Sequence, residues 1–292
     1  METRCHEIAE LVANLRKTKA GFDADLQSGG LDRAKIIQQD LENKIAAFYE
    51  QLLPVEFREL IKNEGEALDK FFGKHVSIPS LPESITLEKF KYWESIGFEL
   101  HYLPAEEMKS EKDFPGWNKK PSPWFYEKIR AKSIAEDSAM LRGGWILIDG
   151  RPKPEYQSGD QAYVDDSLAE TLTKLRKSGN LLGYKIAASR FDISWDELRD
   201  GEVKAAFAEL LHTVPEDIQL PRAIEWNFIG NVHHPEWGDT NSWEWFQDEF
   251  IAGGGGLYGG RLGNGGLSNV GVYASFVRDS GIGFRLLVRF AK

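Results

Sequence analysis

The densest run of side chains able to do chemistry is His233-His234-Pro235-Glu236. Imidazole and carboxylate are ligand types that suit zinc or iron. Neighbouring residues of an extended chain point in different directions, however, and Pro235 suggests a surface loop. No third ligand stands nearby in the sequence, so the expectation is no metal and no cofactor. The glycine-rich stretch from Gly253 to Gly266 has the freedom of a phosphate cradle, yet no Gly-Lys-Ser/Thr follows it and no helix is indicated. Cys5 is the single cysteine, which excludes a disulfide within the chain and any multi-thiolate metal site. Asp165-Asp166 reads most simply as a helix start.

The elements that must position these groups show in the apolar spacing. Ile8, Leu11, Val12 and Leu15 recur at helical intervals, Gly29-Gly30 interrupts, and Ile37, Leu41, Ile45, Phe48 and Leu52 form a second stripe. Pro54 suits the opening of a third helix carrying Phe57, Leu60, Ile61, Leu68 and Phe71. Residues 1–75 therefore read as a helical segment, with stripes too short for a sustained heptad pattern. Trp145-Ile146-Leu147-Ile148, closed by Asp149-Gly150, reads as a buried strand. Leu168, Leu172 and Leu175 mark a helix that stops at Gly179. Ser194 to Glu197 has the spacing of a capping box for a helix that includes Leu198, Phe207, Leu210 and Leu211. Phe284, Leu286, Val288 and Phe290 alternate with Arg285, Leu287 and Arg289, the period of one half-buried strand.

Three segments of the last quarter carry a resemblance. Leu220-Pro221-Arg222-Ala223-Ile224-Glu225-Trp226 resembles the "RLPTEAEWE" segment of the formylglycine-generating-enzyme (sulfatase-modifying factor) family, with its leading Arg replaced. Asn241-Ser242-Trp243-Glu244-Trp245-Phe246-Gln247-Asp248 is similar to that family's "GNVWEWTSD", and Gly281-Ile282-Gly283-Phe284-Arg285-Leu286 to its "GFRL" ending. The resemblance implies an α+β, C-type-lectin-like domain over residues 76–292. On chemical grounds Arg285 is expected to form a bidentate pair with a carboxylate such as Glu225 or Glu244. The family's copper chemistry needs cysteine thiolates, and its iron-dependent relatives need a histidine set. Cys5, His6 and His75 supply neither, so the expectation is a binding protein and not an enzyme. The calcium-dependent sugar signature of true C-type lectins is missing.

Between Gly253 and Ile282 there is no Lys, Glu, Gln, Met or Trp, although the rest of the chain is rich in Lys, Glu and Trp. Codons ending in a pyrimidine cannot encode those five. That palette, placed just before a terminal "GFR" strand, resembles the variable proteins of diversity-generating retroelements, which mutate adenines in AAC or AAT codons. The resemblance implies a variable loop at about 253–282 with Tyr258, Arg261, Asn264, Val272, Tyr273, Ser275, Phe276, Val277, Arg278 and Ser280 as its ligand-binding residues. Tyr, Phe and Arg give rigid, high-area contacts while Ser, Gly and Asn adapt, which suits an unknown ligand, most simply a protein surface. A metal-dependent enzyme of the same superfamily and a non-diversified phage-derived structural module are the alternatives. A net charge of −10 argues against gripping nucleic acid. No run reaches the roughly 20 apolar residues of a membrane span, and no signal-peptide pattern is seen, so the expected location is cytoplasmic.

Overall fold

The computed structural model describes residues 53–183 and 185–290, together with Ile36 and Gln39. The chain divides into two units, Met1–Leu60 and Ile61–Lys292. The two helical stripes expected between Ile8 and Leu52, along with Cys5 and His6, lie outside the described residues. The third expected helix is α1 (Val55–Phe72), and its Leu68 and Phe71 are buried.

The described part of the second unit is mixed α+β. After α1 come α2 (Leu87–Ser95), β1 (Phe98–Glu107), α3 (Pro123–Arg130), β2 (Met140–Asp149) and α4 (Ala169–Ser178). They are followed by α5 (Trp195–Leu198), α6 (Gly201–Leu210), β3 (Ile218–Gln219) and α7 (Ala223–Val232). The chain ends on β4 (Trp243–Phe250), β5 (Gly255–Gly259), β6 (Val270–Ala274), β7 (Ile282–Phe284) and β8 (Leu287–Arg289). One sheet has the order β1-β2-β8-β3, the other β6-β5-β4-β7. Among the described residues, no helix is long and apolar enough to cross a membrane.

Local chemistry explains most boundaries. Gly179 ends α4 at φ 83°, a conformation that suits glycine. Ser194 and Glu197 form the expected capping box, but the helix they open is only α5. Asp200 then starts α6 by accepting from the backbone of Glu202 and Val203, so one expected helix is two. Helix α7 is apolar nearly all round, as a central helix must be, and every residue from Ala223 to Gly230 is buried. Its N-terminus is held by Asp248, whose carboxylate accepts from the Ala223 amide at 2.7 Å.

The closing segment departs from the single half-buried strand expected of it. Residues 282–284 pair in parallel with β4, whereas Leu287–Arg289 pair with β2 and β3 in the other sheet. Arg285 and Leu287 are as buried as Phe284. Period-two reading fails here because it assumes a charged side chain faces water. The Arg285 guanidinium instead meets the Glu244 carboxylate at 3.1 Å and donates to the carbonyls of Asp149 and Arg151. Of the two carboxylates considered for it, Glu244 is the partner; Glu225 pairs with Arg289 at 2.5 Å.

The glycine-rich segment is likewise not a plain loop, for it contains the antiparallel hairpin β5–β6. Its strand glycines sit where other groups press in. A Cβ on Gly256 would fall 2.5 Å from the Trp195 ring, and one on Gly259 1.9 Å from the Asn269 carbonyl oxygen.

Phe284 has no exposed surface and packs beside Phe207, ring centres 5.7 Å apart. Replacing it with Ala is expected to cost about 3–5 kcal/mol in chemical denaturation. A loss below about 1 kcal/mol would mean that the β4–β7 junction is not part of the core.

Candidate functional site

Two places gather reactive or adaptable side chains. The first is the hairpin. Tyr258 pairs across it with Gly271, Tyr273 with Gly256 and Val272 with Leu257. Since side chains alternate along a strand, Tyr258 and Tyr273 share one face while Val272 and Leu257 share the other. On the first face, Tyr258 meets Trp243, Trp245 and Tyr273 edge-on with ring centres 5.8, 6.0 and 6.1 Å apart. Arg261 lies over Trp243, its guanidinium carbon 4.4 Å from the ring centre.

None of the ten residues expected to bind ligand is buried: Asn264, Tyr273 and Phe276 are exposed and the other seven half-buried. Three of the ten are more constrained than a free surface would be. Val272 packs on the hydrophobic core. Arg278 holds both carboxylate oxygens of Glu197 at 2.9 and 3.1 Å. Ser275 donates to Asp196 at 3.0 Å. Sequence alone could not separate these three: the glycine and alanine of β6 hide the period-two pattern that would turn Val272 inward, and the partners of Ser275 and Arg278, Asp196 and Glu197, lie about eighty residues away.

Lys153 anchors the base of the hairpin. It is buried and donates to the carbonyls of Ser242 and Gly260, both at 2.8 Å. Burial pushes its ammonium down to about 8, with nearby Glu244 acting in the opposite sense.

The second place surrounds the C-terminal end of α7. His233 closes that helix, and Pro235, which cannot continue it, turns the chain. The expectation of a surface loop fails, because His234 is buried and the His233 side chain is only 16 % exposed. Further ligand groups, absent nearby in the sequence, are present in space. Glu64 of α1 and Glu99 and His101 of β1 arrive from far away in sequence, and none of the three stood out there. The one local trace was Glu99 and His101 two apart, on the same face of a strand.

His101 lies between two carboxylates. Its Nδ1 is 2.8 Å from Glu64 Oε1 and its Nε2 3.3 Å from Glu99 Oε2. His234 lies between two others, with Nε2 3.0 Å from Glu99 Oε2 and Nδ1 3.0 Å from Glu236 Oε1. The His101 and His233 rings stack at 4.0 Å, and His234 stacks on Trp237 at 4.5 Å with the planes 2° apart. Burial alone disfavours the His101 imidazolium, but Glu64 and Glu99 outweigh it and hold its pKa up at about 9. Burial and the His101 charge push His233 down. Glu64 and Glu99 are desolvated, yet the histidines hold both carboxyls well below the usual range. Two triads have the residue types of a metal centre, Glu64·His101·His233 and Glu99·His101·His234, with ligand atoms within 4.8 Å of one another in each. His75, the other histidine considered in the N-terminal segment, lies beyond the end of α1, is exposed and pairs with Asp69.

Comparison of the chain with known protein families, curated proteins and solved structures finds no match.

The Lys153 environment generates a pH dependence. Its folded pKa lies below the ordinary 10.5, so the protonated amine disfavours the fold. That penalty is complete below about 8 and is relieved as pH rises towards 10.5. The unfolding free energy of the wild type, relative to Lys153→Met, should therefore rise by on the order of 3 kcal/mol across that window. Parallel curves for the two proteins would show that Lys153 is not desolvated.

Proposed function

We propose that this chain is a ligand-binding protein, a C-type-lectin-like scaffold of the formylglycine-enzyme type displaying a surface diversified by a retroelement. The observation that carries the reading is the accessible face of the β5–β6 hairpin. Tyr258, Tyr273, Trp243 and Arg261 meet there, and Phe276 in the following turn is 69 % exposed. Large aromatic and arginine side chains held on a rigid base are the composition of binding hot spots. Trp245, beside Tyr258 on the same face, is fully buried, as are Phe246, Leu257 and Phe284, so the exposed side chains can vary while the scaffold stays.

The fold part of the reading draws support from a convergence. Trp226, Glu244 and Arg285 come one from each of the three family-like segments. In space Trp226 Nε1 donates to Glu244 at 2.6 Å, and Arg285 reaches the same carboxylate. Segments that resemble a family's motifs and also build one network are better support than the strings alone. The ligand follows the current variant of the surface, and its chemistry suits a protein.

Sequencing this coding segment and its flanks in related isolates tests the proposal. The expected result is a reverse-transcriptase gene, an adenine-bearing near-copy of the segment, and substitutions concentrated at codons such as 258, 261, 264, 273 and 276. An invariant segment with no near-copy would remove the diversification reading.

A stability measurement tests the separation of surface from scaffold. The double variant Tyr273→Ser, Phe276→Ser should unfold within about 0.5 kcal/mol of the wild type, whereas Trp245→Ala should lose roughly 3–5 kcal/mol. Equal losses would make the hairpin face part of the core.

A further inference from the structure

The histidine–carboxylate cluster has an internal order that hydrogen bonding among its own members does not exhaust. In each of two rings, His101 and His234, a carboxylate stands against Nδ1: Glu64 at 2.8 Å and Glu236 at 3.0 Å. A carboxylate in that position holds a proton on Nδ1, which makes Nε2 the nitrogen a metal ion would take by displacing its proton, the arrangement that orients metal-bound imidazoles. Both Nε2 atoms face Glu99 Oε2, His234 at 3.0 Å and His101 at 3.3 Å. The His101 Nε2 contact lacks hydrogen-bond geometry, and that atom is buried with no hydrogen-bond partner among the described residues. A four-coordinate ion with bonds of about 2.0–2.1 Å spaces its ligand atoms roughly 3.4 Å apart, close to the two separations found.

We propose that Glu99, His101 and His234 form a binding site for one divalent transition-metal ion, with Glu64 and Glu236 as the outer carboxylates that orient the two imidazoles. Two nitrogens and one oxygen are a donor set of the zinc and non-haem iron type.

The surroundings hold the three ligands in place. Glu99 and His101 are two residues apart on β1, a strand fixed along its length by β2. Its neighbour Gly150 has no side chain to spare: a Cβ there would fall 2.0 Å from Glu99 Oε1. His234 is clamped against Trp237, and Pro235 fixes where the chain leaves α7. The side chain of Glu99 is 45 % exposed, which leaves the ion open to water on one side. The rival grouping, Glu64·His101·His233, is more enclosed, and Glu64 already accepts from the Tyr102 amide at 3.1 Å. The site uses no residue of the hairpin face and stands whether or not that face binds a ligand.

The test is titration of the full, chelator-treated chain with Zn²⁺ by calorimetry and with Co²⁺ by visible absorption. The expected result is one equivalent bound, with the intense d–d bands of a low-coordinate Co²⁺ centre. Glu99→Gln and His234→Ala should each weaken binding more than about 100-fold, and Glu236→Gln by about 10–100-fold. His233→Ala should leave it nearly unchanged. Melting temperatures in chelator establish first which variants are folded; Glu99→Gln and Glu236→Gln alter partly exposed side chains and carry the test if a histidine variant unfolds. Absence of saturable one-to-one binding overturns the proposal. So does binding that survives both Glu99→Gln and Glu236→Gln, or binding that is lost with His233→Ala in a folded protein.

Discussion

The buried pair between Arg285 and Glu244 is the interaction on which the rest of the structure depends. Both side chains are fully enclosed. Taking two charges out of water is tolerable only if each is paired and its remaining hydrogen-bonding capacity is met. Here both conditions hold: Glu244 also accepts from Trp226 and Tyr163, while Arg285 also donates to two backbone carbonyls and lies 3.7 Å from the Trp237 ring centre. The pair therefore ties β4, the start of α7 and the end of β2 to the point where the chain crosses from one sheet to the other. Removing one partner would strand the other charge, a loss on the order of 3–5 kcal/mol.

The same rule recurs around it. Arg190 is wholly buried and held by Asp149 and Asp166; burial works against its charge, and the two carboxylates outweigh that and raise its pKa further. Arg222 is buried against Asp248, the residue that also caps α7. Geometry in this scaffold is thus set by directional charge pairs as well as by packing. Such pairs resist sliding, since a displaced partner leaves an unsatisfied charge. A base fixed in this way can carry variable side chains on the β5–β6 hairpin without losing register, and it can hold imidazoles at defined distances on the end of α7.

The two proposed sites differ in what they ask of the scaffold. A recognition surface needs accessible side chains on a fixed backbone, and the glycines of β5 serve this by letting Trp195 and Asn269 approach closely. A metal site needs a few side chains fixed to within fractions of an ångström. Stacking of His234 on Trp237, together with the carboxylates on each Nδ1, supplies that fixation from residues outside the hairpin.

By itself the sequence determined the local elements: the buried strand at Trp145–Ile148, the helix ended by Gly179, and the capping box at Ser194. Each depends on neighbours within a few residues, so spacing and turn chemistry suffice to read it. The sequence also carried Arg285 to one of two candidate carboxylates, because few groups can satisfy a guanidinium. Only the tertiary structure decided that the closing segment splits between two sheets, that Val272 turns inward, and that Glu64, Glu99 and His101 meet His233 and His234. Burial of Arg285 cancels the rule that charge faces water, and only its distant partner makes that possible. The cluster joins residues from three separate elements, so no spacing along the chain encodes it; its geometry exists only after α1, β1 and α7 have packed.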